Sequence, residues 1–196
     1  AQLMQFRAAN SRWQLSYLQT TRKRVGSLFV DTLMSELPLA RFTVDRAAQL
    51  RNNPDWFDQA WAADSTRVLV LHERSIPVTA ELSIVWVKPW SLKMTNSQAK
   101  ESVLLLGADS DHTYLAIMED EVGLTDVDWA SLRDVGAQLS ATDVGLATAA
   151  VALATWHDGH QYCPRCGSAT QIAMAGWSRL CAQDQIEQYP RTEPAM

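Results

Sequence analysis

Three cysteines near the end of the 196-residue chain are the residues whose types and spacing most clearly indicate chemistry. Cys163 and Cys166 form a Cys-x-x-Cys pair, and Cys181 follows after 14 intervening residues. A pair with this spacing either exchanges electrons or holds zinc. Gly167 suits the tight turn of a zinc knuckle, because glycine adopts positive φ without strain. The pair also follows a predicted helix instead of opening one, so the pattern favours zinc over a redox motif or unmetallated core cysteines.

The fourth ligand of this zinc site has two candidates. Asp184 occupies the position that would complete a second Cys-x-x-Cys pattern. An aspartate preserves the charge of a four-thiolate site, but its hard oxygen matches zinc less well than sulfur does. His160, three residues before Cys163, is the rival, because neutral imidazole binds zinc well. The residues therefore leave three alternatives open: Asp184, His160, or a degenerate site without metal.

The composition describes the setting of this site. The chain is 47% apolar and 20% charged, which excludes a disordered tail, a collagen-like fibre and a disulfide-rich mini-protein. Its net charge of -5 gives no long-range attraction to nucleic acid or anionic lipid. The longest apolar stretch, residues 146–154, is about half the ~20 residues that a membrane span needs. We expect a soluble, cytoplasmic protein that has no membrane partner.

Short apolar runs predict the strands that must support the site. Residues 67–72 and 84–87 are rich in β-branched side chains and have the length of strands. Residues 102–106 and 112–118 bracket a turn-rich loop at 107–111, which predicts a hairpin.

Caps and helical spacing predict three helices. Asn53 and Pro54 are typical of a helix start. They lead into an aromatic stripe that is typical of a core face, formed by Trp56, Phe57, Ala60 and Trp61. Residues 129–139 also have helical spacing.

The third predicted helix is long, alanine-rich and narrow. Thr142 or Asp143 is its predicted cap, and the helix runs to about His157 with Gly159 as its stop. We expect it to pack closely against the sheet or a second subunit, and to lead directly into the cysteines. One face carries Leu146, Ala149, Ala150, Leu153 and Trp156. The expected fold class is α+β: a mixed N-terminal domain with a small sheet and packed helices, followed by a zinc-ribbon-like knuckle.

Several motifs in the last third of the chain occur in one order and at tight spacing. They are residues 152–157 (Ala-Leu-Ala-Thr-Trp-His), His160, residues 162–167 (Tyr-Cys-Pro-Arg-Cys-Gly), Gly176-Trp177 and residues 189–195 (Tyr-Pro-Arg-Thr-Glu-Pro-Ala). Together they resemble the NAD(H) pyrophosphatases of the Nudix superfamily. The resemblance is dense over residues 129–196 and loose before them.

The resemblance implies a division of the chain and an activity. It implies an N-terminal α+β domain at 1–160, a zinc ribbon at 161–188, and at 189–196 the start of a linker into a Nudix catalytic domain. Members of the family are homodimers that hydrolyse NAD(H) to NMN(H) and AMP, and they also remove NAD caps from RNA. Their Mg²⁺ or Mn²⁺ ions are held by glutamates of the Nudix helix and activate the attacking water.

The Nudix motif itself is not found in these 196 residues. The sequence has neither an Arg-Glu dipeptide nor a Glu-Glu pair, both of which that motif requires. The chain ends at Met196, where the catalytic domain would begin. We therefore expect the N-terminal, non-catalytic half of such an enzyme, with no catalytic residue and no hydrolysis of NAD(H) on its own.

The resemblance also marks two substrate contacts. Tyr189 matches an aromatic position at the dimeric active site, and Arg133 matches a basic contact. For both, a purely structural role, as a packing aromatic and a surface arginine, is an equal alternative. Gly176 stands where some members carry a contact glutamate, which puts one substrate contact in doubt.

Three classes of function follow from the sequence. The first is the non-catalytic half of an NAD(H) pyrophosphatase, which serves dimerisation, zinc-dependent folding and part of the substrate pocket. The second is a zinc-ribbon module that binds nucleic acid, such as NAD-capped RNA, or protein. The third, and least favoured, is a thiol redox protein that uses Cys163 and Cys166.

Overall fold

The structure is a computed structural model that describes residues 37, 39, 41–118, 124 and 127–191. The regular elements among them are α1 (Trp56–Ala62), β1 (Thr66–Leu71), β2 (Ile76–Val78), α2 (Asn96–Ser102), β3 (Leu104–Ala108), β4 (Thr113–Met118), β5 (Asp128–Ala130), α3 (Leu132–Val135), α4 (Ala141–Gly159), β6 (Thr170–Ala173), β7 (Ser178–Cys181) and β8 (Glu187–Gln188). Short 3₁₀ helices cover Ala48–Asn52, Pro89–Ser91 and Met174–Gly176. Helices and small sheets thus confirm the predicted α+β class.

A three-stranded sheet lies at the centre of the fold. Its order is β1-β4-β3, with β4 parallel to β1 and antiparallel to β3. Successive side chains of a strand point to opposite faces, so Val68 and Val70 pack on one face while Leu69 and Leu71 pack on the other. Helices α1 and α2 cover the first face, and α4 covers the second. Burial on both faces explains why these strands are continuous apolar runs in the sequence.

Two of the strand predictions are confirmed and one is wrong. The strand predicted at 67–72 is β1, and the predicted hairpin is the pair of β3 and β4. The segment 84–87, in contrast, forms no regular strand. Its two ends make isolated bridges to different partners, Val78 and Val68. The segment therefore crosses from one strand to another instead of following either.

The helix predicted at 129–139 is also wrong for the most part. Trp129 lies on β5 and pairs with Pro77 of β2, and only residues 132–135 are helical. Ser131 caps this short helix, because its hydroxyl accepts a hydrogen bond from the backbone N–H of Asp134 at 3.3 Å. Pairing with a distant strand has overridden the local helical spacing.

The aromatic stripe of α1 is core, as predicted. Phe57 is buried and stacks on Trp61 with ring centroids 5.3 Å apart. The helix begins at Trp56, later than the Asn53-Pro54 pair suggested. The Asn53 Oδ1 atom accepts from the backbone N–H of Asp55 at 3.0 Å, so this asparagine forms a turn before the helix.

Helix α4 packs against the sheet, one of the two partners expected for it. Leu146 and Ala150 are completely buried in the core shared with β1 and β3. At Gly145 an added Cβ would lie 2.4 Å from Cδ2 of Phe42, so this position requires glycine. The cap is Ser140, upstream of the two predicted caps, and its hydroxyl accepts from the backbone N–H of Asp143 at 3.0 Å.

A second three-stranded sheet, β6-β7-β8, follows α4 and is antiparallel throughout. The turn between β6 and β7 is left-handed, with φ of 48° at Met174, 54° at Ala175 and 92° at Gly176. This turn docks on β3, where the Trp177 indole N–H donates to the Leu105 carbonyl at 2.7 Å. The second sheet is therefore fixed to the edge of the first.

Some expectations fall on residues outside the described ranges. These include the segment before residue 37, and residues 192–196 of the expected linker. Among the residues that the structure describes, no helix combines the length and apolar character that crossing a membrane requires.

Candidate metal centre

The first half of the centre is a turn around Cys163 and Cys166. The backbone N–H of Gly167 donates to the Cys163 carbonyl at 2.9 Å, and the N–H of Cys163 donates to the Ser168 carbonyl at 2.8 Å. Gly167 has φ of 74°, as the zinc-knuckle interpretation requires. The first element after Cys166 in the described chain is strand β6 and not a helix, so the pair lacks the helix N-terminus that activates thiols in redox motifs.

The second half repeats this backbone 18 positions later. The N–H of Gln185 donates to the Cys181 carbonyl at 2.9 Å, and the N–H of Cys181 donates to the Ile186 carbonyl at 3.0 Å. Gln185 has φ of 55° and takes the place that Gly167 has in the first turn. Asp184 is the counterpart of Cys166. The two turns are therefore matching knuckles, although the second has neither the second cysteine nor the glycine.

The two knuckles bring four ligand atoms together. Within the described residues, the donor atoms of Cys163, Cys166, Cys181 and Asp184 all lie within 4.8 Å of one another. The Sγ atoms of Cys166 and Cys181 are 3.5 Å apart, and the Cys163 Sγ lies 3.4 Å from the Asp184 Oδ2. The three thiols form no disulfide.

These separations fit a tetrahedral zinc site. With Zn–S bonds of ~2.3 Å and a Zn–O bond of ~2.1 Å, the edges of a tetrahedron are about 3.6–3.8 Å. The two observed contacts are only slightly shorter than this. Three thiolates and one carboxylate are also a donor set that zinc accepts. The residues present therefore fit the metal in both distance and chemistry.

The backbone also stabilises a thiolate at this centre. The N–H of Asp184 points at the Cys181 Sγ at 3.4 Å. This hydrogen bond lowers the pKa of the Cys181 thiol, against the opposing effect of burial. A thiol that ionises more readily is a better zinc ligand, since zinc binds the thiolate.

His160, the rival ligand, is not part of this group. Its Nδ1 atom lies 2.8 Å from the Trp156 carbonyl, and its ring lies 5.1 Å from the Trp156 ring. Both contacts are to the preceding turn of α4. The structure brings Asp184, and not His160, to the three cysteines.

A buried polar network, which the sequence analysis missed, joins the ribbon to α4. His157 Nε2 donates to the Gly176 carbonyl at 2.9 Å, and its Nδ1 accepts from Nη1 of Arg179 at 3.1 Å. The Arg179 Nε also donates to the Thr170 hydroxyl at 2.7 Å, and Nη2 donates to the Thr170 carbonyl at 2.8 Å. All three side chains are at least nine-tenths buried.

The network keeps His157 neutral. Burial lowers its pKa to about 4, and the neighbouring Arg179 charge acts in the same direction. A signal for His157 was present in the sequence, because it lies four residues after Leu153 on the apolar face of α4. No local pattern marked Arg179, since its partners lie on another strand and on a helix.

The two expected substrate contacts lie on the surface. Tyr189 is 57% exposed, and its hydroxyl donates to a carboxylate oxygen of Glu187, which raises the pKa of the phenol. Arg133 is exposed on α3. The substrate-binding roles of both residues stay predictions.

The fold and the site define a protein with a zinc ribbon attached to an α+β domain. Residues 158–189 match the family model described as the NADH pyrophosphatase zinc ribbon domain. The four clustered ligand residues all lie inside this match.

Comparison with known proteins extends this result. The mitochondrial NAD(P)H pyrophosphatase NUDT13 of Mus musculus is 39% identical over 79 residues, which cover 40% of this chain and 22% of that protein. NUDT13 of Homo sapiens is 36% identical over 91 residues, which cover 45% of this chain and 26% of that protein. The NAD-capped RNA hydrolase NudC of Mycobacterium tuberculosis is 27% identical over 179 residues, which cover 85% of this chain and 54% of that protein.

These matches confirm the resemblance to the Nudix NAD(H) pyrophosphatases. The zinc ribbon is of their type. The chain spans between about a fifth and about half of the length of these relatives.

Proposed function

We propose that this chain is the N-terminal, non-catalytic part of an NAD(H) pyrophosphatase that cleaves NAD(H) to NMN(H) and AMP. The observation that most supports this proposal is the group of Cys163, Cys166, Cys181 and Asp184, which lies inside a segment that matches the NADH pyrophosphatase zinc ribbon. The names of the relatives, an NAD(P)H pyrophosphatase and an NAD-capped RNA hydrolase, support NAD(H) and NAD-capped RNA as the substrates of the complete enzyme. We further propose the domain limits 1–160, 161–188 and 189–196.

Zinc has a structural role in this proposal. When bound, it would be held by the four clustered residues, and it would tie the two knuckles together. All four ligand positions are taken by protein atoms, which is typical of structural sites and leaves no place for substrate. Reduced thiolates require a reducing compartment, which supports a cytoplasmic location.

We place the catalytic step on residues of the Nudix domain of the complete enzyme, and not on the described residues of this chain. Among the described residues, the group around Cys163 is the only set of three or more His, Cys, Asp and Glu side chains whose donor atoms converge. In this proposal, as the resemblance implies, the Mg²⁺ or Mn²⁺ ions of the reaction belong to the Nudix domain of the complete enzyme. Tyr189 and Arg133 complete the substrate pocket from this side.

A hydrolysis assay tests whether this chain is non-catalytic. The zinc-loaded 196-residue chain, incubated with NADH and Mg²⁺, is expected to release no AMP above a protein-free control. Clear turnover by this chain would refute the non-catalytic role. The coding sequence beyond residue 196 gives an independent test: a downstream Nudix box supports the proposal, and a stop codon contradicts it.

Dimerisation is a separate part of the proposal, implied by the resemblance. Size-exclusion chromatography with light scattering is expected to give twice the 21.9 kDa mass of one chain. A mass of one chain at micromolar concentration would place the dimer interface elsewhere in the complete enzyme.

The burial of Arg179 weighs against a free-standing nucleic-acid module. Arg165 and Arg191 are exposed, but Arg179 is 8% exposed and directs its guanidinium into the protein. The ribbon thus loses one of its few surface cations, and phosphate contacts need several.

A further inference from the structure

A cavity of about 330 Å³ lies on the opposite side of the central sheet from α4. It opens where the 3₁₀ helix Ala48–Asn52, α1 and α2 meet strand β6 and the left-handed turn that follows it. Its wall includes Arg51, Asn53, Trp56, Lys100, Val103 and Ile172. None of the cysteine ligands, Arg133 or Tyr189 lines it, so it is distinct from the sites described above.

The wall of this cavity is cationic in an acidic protein. Its described lining residues include Arg51 and Lys100 but no aspartate or glutamate, although the chain has a net charge of -5. Arg46 lies close to Arg51, and both guanidinium groups lie over the Trp177 ring. The distance to the ring centroid is 5.7 Å from the Arg46 Cζ and 3.8 Å from the Arg51 Cζ. Burial lowers the pKa of Arg51 to about 10. The Arg46 charge adds a smaller effect in the same direction, and the Asp45 carboxylate opposes both. An anion in the cavity would offset this unfavourable environment.

Both cations have unused hydrogen-bonding capacity. Among the described residues, Arg51 makes one hydrogen bond, from Nη2 to the Arg46 carbonyl at 3.0 Å, and its buried Nε has no partner. Within the same part of the chain, the Lys100 ammonium faces only the Phe57 ring, with Nζ 5.8 Å from the ring centroid. Neither side chain forms a salt bridge with a carboxylate in the described part of the chain. Guanidinium and ammonium groups are the usual protein partners of phosphate.

The rest of the wall is apolar and aromatic. The half-buried Trp56 indole, Val103 and Ile172 supply surface on which a planar ring can lie. Aromatic side chains stack on nucleobases of any type. A volume of about 330 Å³ is at the lower end of the range of ~300–1,000 Å³ for small-molecule sites. These dimensions suit a mononucleotide and not a dinucleotide.

We propose that this cavity binds a nucleoside monophosphate, with the phosphate at Arg51 and Lys100 and the base against Trp56. The inference does not depend on the proposed function, because it concerns residues outside the ribbon ligands and the expected substrate contacts. Asn53 can add a donor from its amide NH₂ group, since only its Oδ1 is used in the turn before α1.

Calorimetric titration of the zinc-loaded chain with AMP tests the proposal. AMP is expected to bind at least about tenfold more tightly than inorganic phosphate or adenosine, because only AMP offers both recognised groups. Lys100→Gln is expected to weaken AMP binding about tenfold. The matched control, Lys93→Gln, removes the same charge from an exposed position outside the cavity wall and is expected to bind AMP like the parent chain.

Several outcomes would overturn the proposal. One is the absence of AMP binding at millimolar concentration, and another is equal affinity for phosphate and AMP. Equal loss in both lysine variants would show non-specific attraction. Loss in Tyr189→Ala with retention in Lys100→Gln would place AMP at the expected substrate contacts instead. Because Lys100 is exposed, a melting temperature equal to that of the parent chain verifies that the variant is folded.

Discussion

At the scale of single residues, the second zinc knuckle is a weakened copy of the first. Where the first knuckle has the soft ligand Cys166, the second has Asp184. Where the first has a glycine in the left-handed conformation, the second has Gln185. Both substitutions keep the backbone hydrogen bonds of the knuckle intact. Each is expected to have a cost, one in metal affinity and the other in backbone strain, and the two costs are separable by mutation.

Restoring the cysteine is expected to tighten zinc binding. In Asp184→Cys a soft thiolate replaces a hard oxygen, so zinc should pass to a chromogenic chelator about tenfold more slowly than from the parent chain. Asp184→Ala, which removes the ligand, should release zinc faster than the parent. If Asp184→Ala holds zinc as well as the parent chain does, Asp184 is not a ligand.

Restoring the glycine is expected to stabilise the fold. Gln185 has φ of 55°, and Gln185→Gly should raise the free energy of unfolding by about 1 kcal/mol in a zinc-saturated urea titration. Gly167→Ala is the reverse experiment. An added Cβ there meets nothing within 4 Å, so its expected loss of about 1 kcal/mol comes from φ alone. Changes of the same sign in both variants would contradict this account.

At the scale of elements, the ribbon is fixed to α4 and β3 by buried polar contacts. His157 of α4 makes hydrogen bonds to the Gly176 carbonyl, in the turn before β7, and to Arg179, which lies on β7. Trp177 reaches the Leu105 carbonyl where the pairing of β3 with β4 is irregular. A larger residue at Gly176 would be strained, since an added Cβ would lie 2.9 Å from the Leu104 Cα and the backbone has φ of 92°.

The His157 contact predicts a dependence of stability on pH. The pKa of His157 is about 4 in the folded chain and 6.5 in the unfolded one. Between these values the unfolded state binds more protons, so stability falls as the pH falls. From pH 7.5 to 5 this amounts to about 2 kcal/mol.

Comparison with His157→Gln isolates this contribution. Urea titrations of both proteins in zinc-saturated buffer should show that the parent chain loses about 2 kcal/mol more than the variant between pH 7.5 and 5. Acid release of zinc affects both proteins and cancels in the difference. Parallel pH profiles would show that His157 is not held neutral in the folded chain.

In the whole molecule, as far as its residues are described, two hydrophobic cores and the candidate metal centre stabilise the fold. The cores lie on either side of the β1-β4-β3 sheet and belong to the α+β domain. The ribbon strands contain only four, four and two residues. A unit this small has too little apolar surface to fold without its metal or a neighbour.

Removing zinc is therefore expected to unfold the ribbon selectively. After treatment with a chelator, amide hydrogens of residues 161–188 should lose protection from exchange, whereas those of β1, β3 and β4 should keep most of theirs. Hydrogen-exchange mass spectrometry measures both regions in one sample, and a zinc-loaded sample is the control. Uniform loss of protection along the chain would show that the two parts form one cooperative unit.

Features that depend on neighbours along the chain could be predicted from the amino-acid sequence. The spacing of Cys163, Cys166 and Cys181 predicted the knuckles, because a turn of a few residues sets the distances between its own side chains. The apolar runs predicted β1, β3 and β4, since burial on both faces leaves a direct trace in composition. Asp184 was predicted at the fourth position but could not be separated from His160.

Features that join distant segments became apparent only in the folded chain. It brought Asp184 to the cysteines, turned His160 back onto Trp156, and converted part of a predicted helix into β5. The contacts of Trp177 with Leu105 and of Arg179 with His157 span 72 and 22 positions. Pairing energies of this kind depend on how whole elements pack, and no local pattern of residue types encodes them.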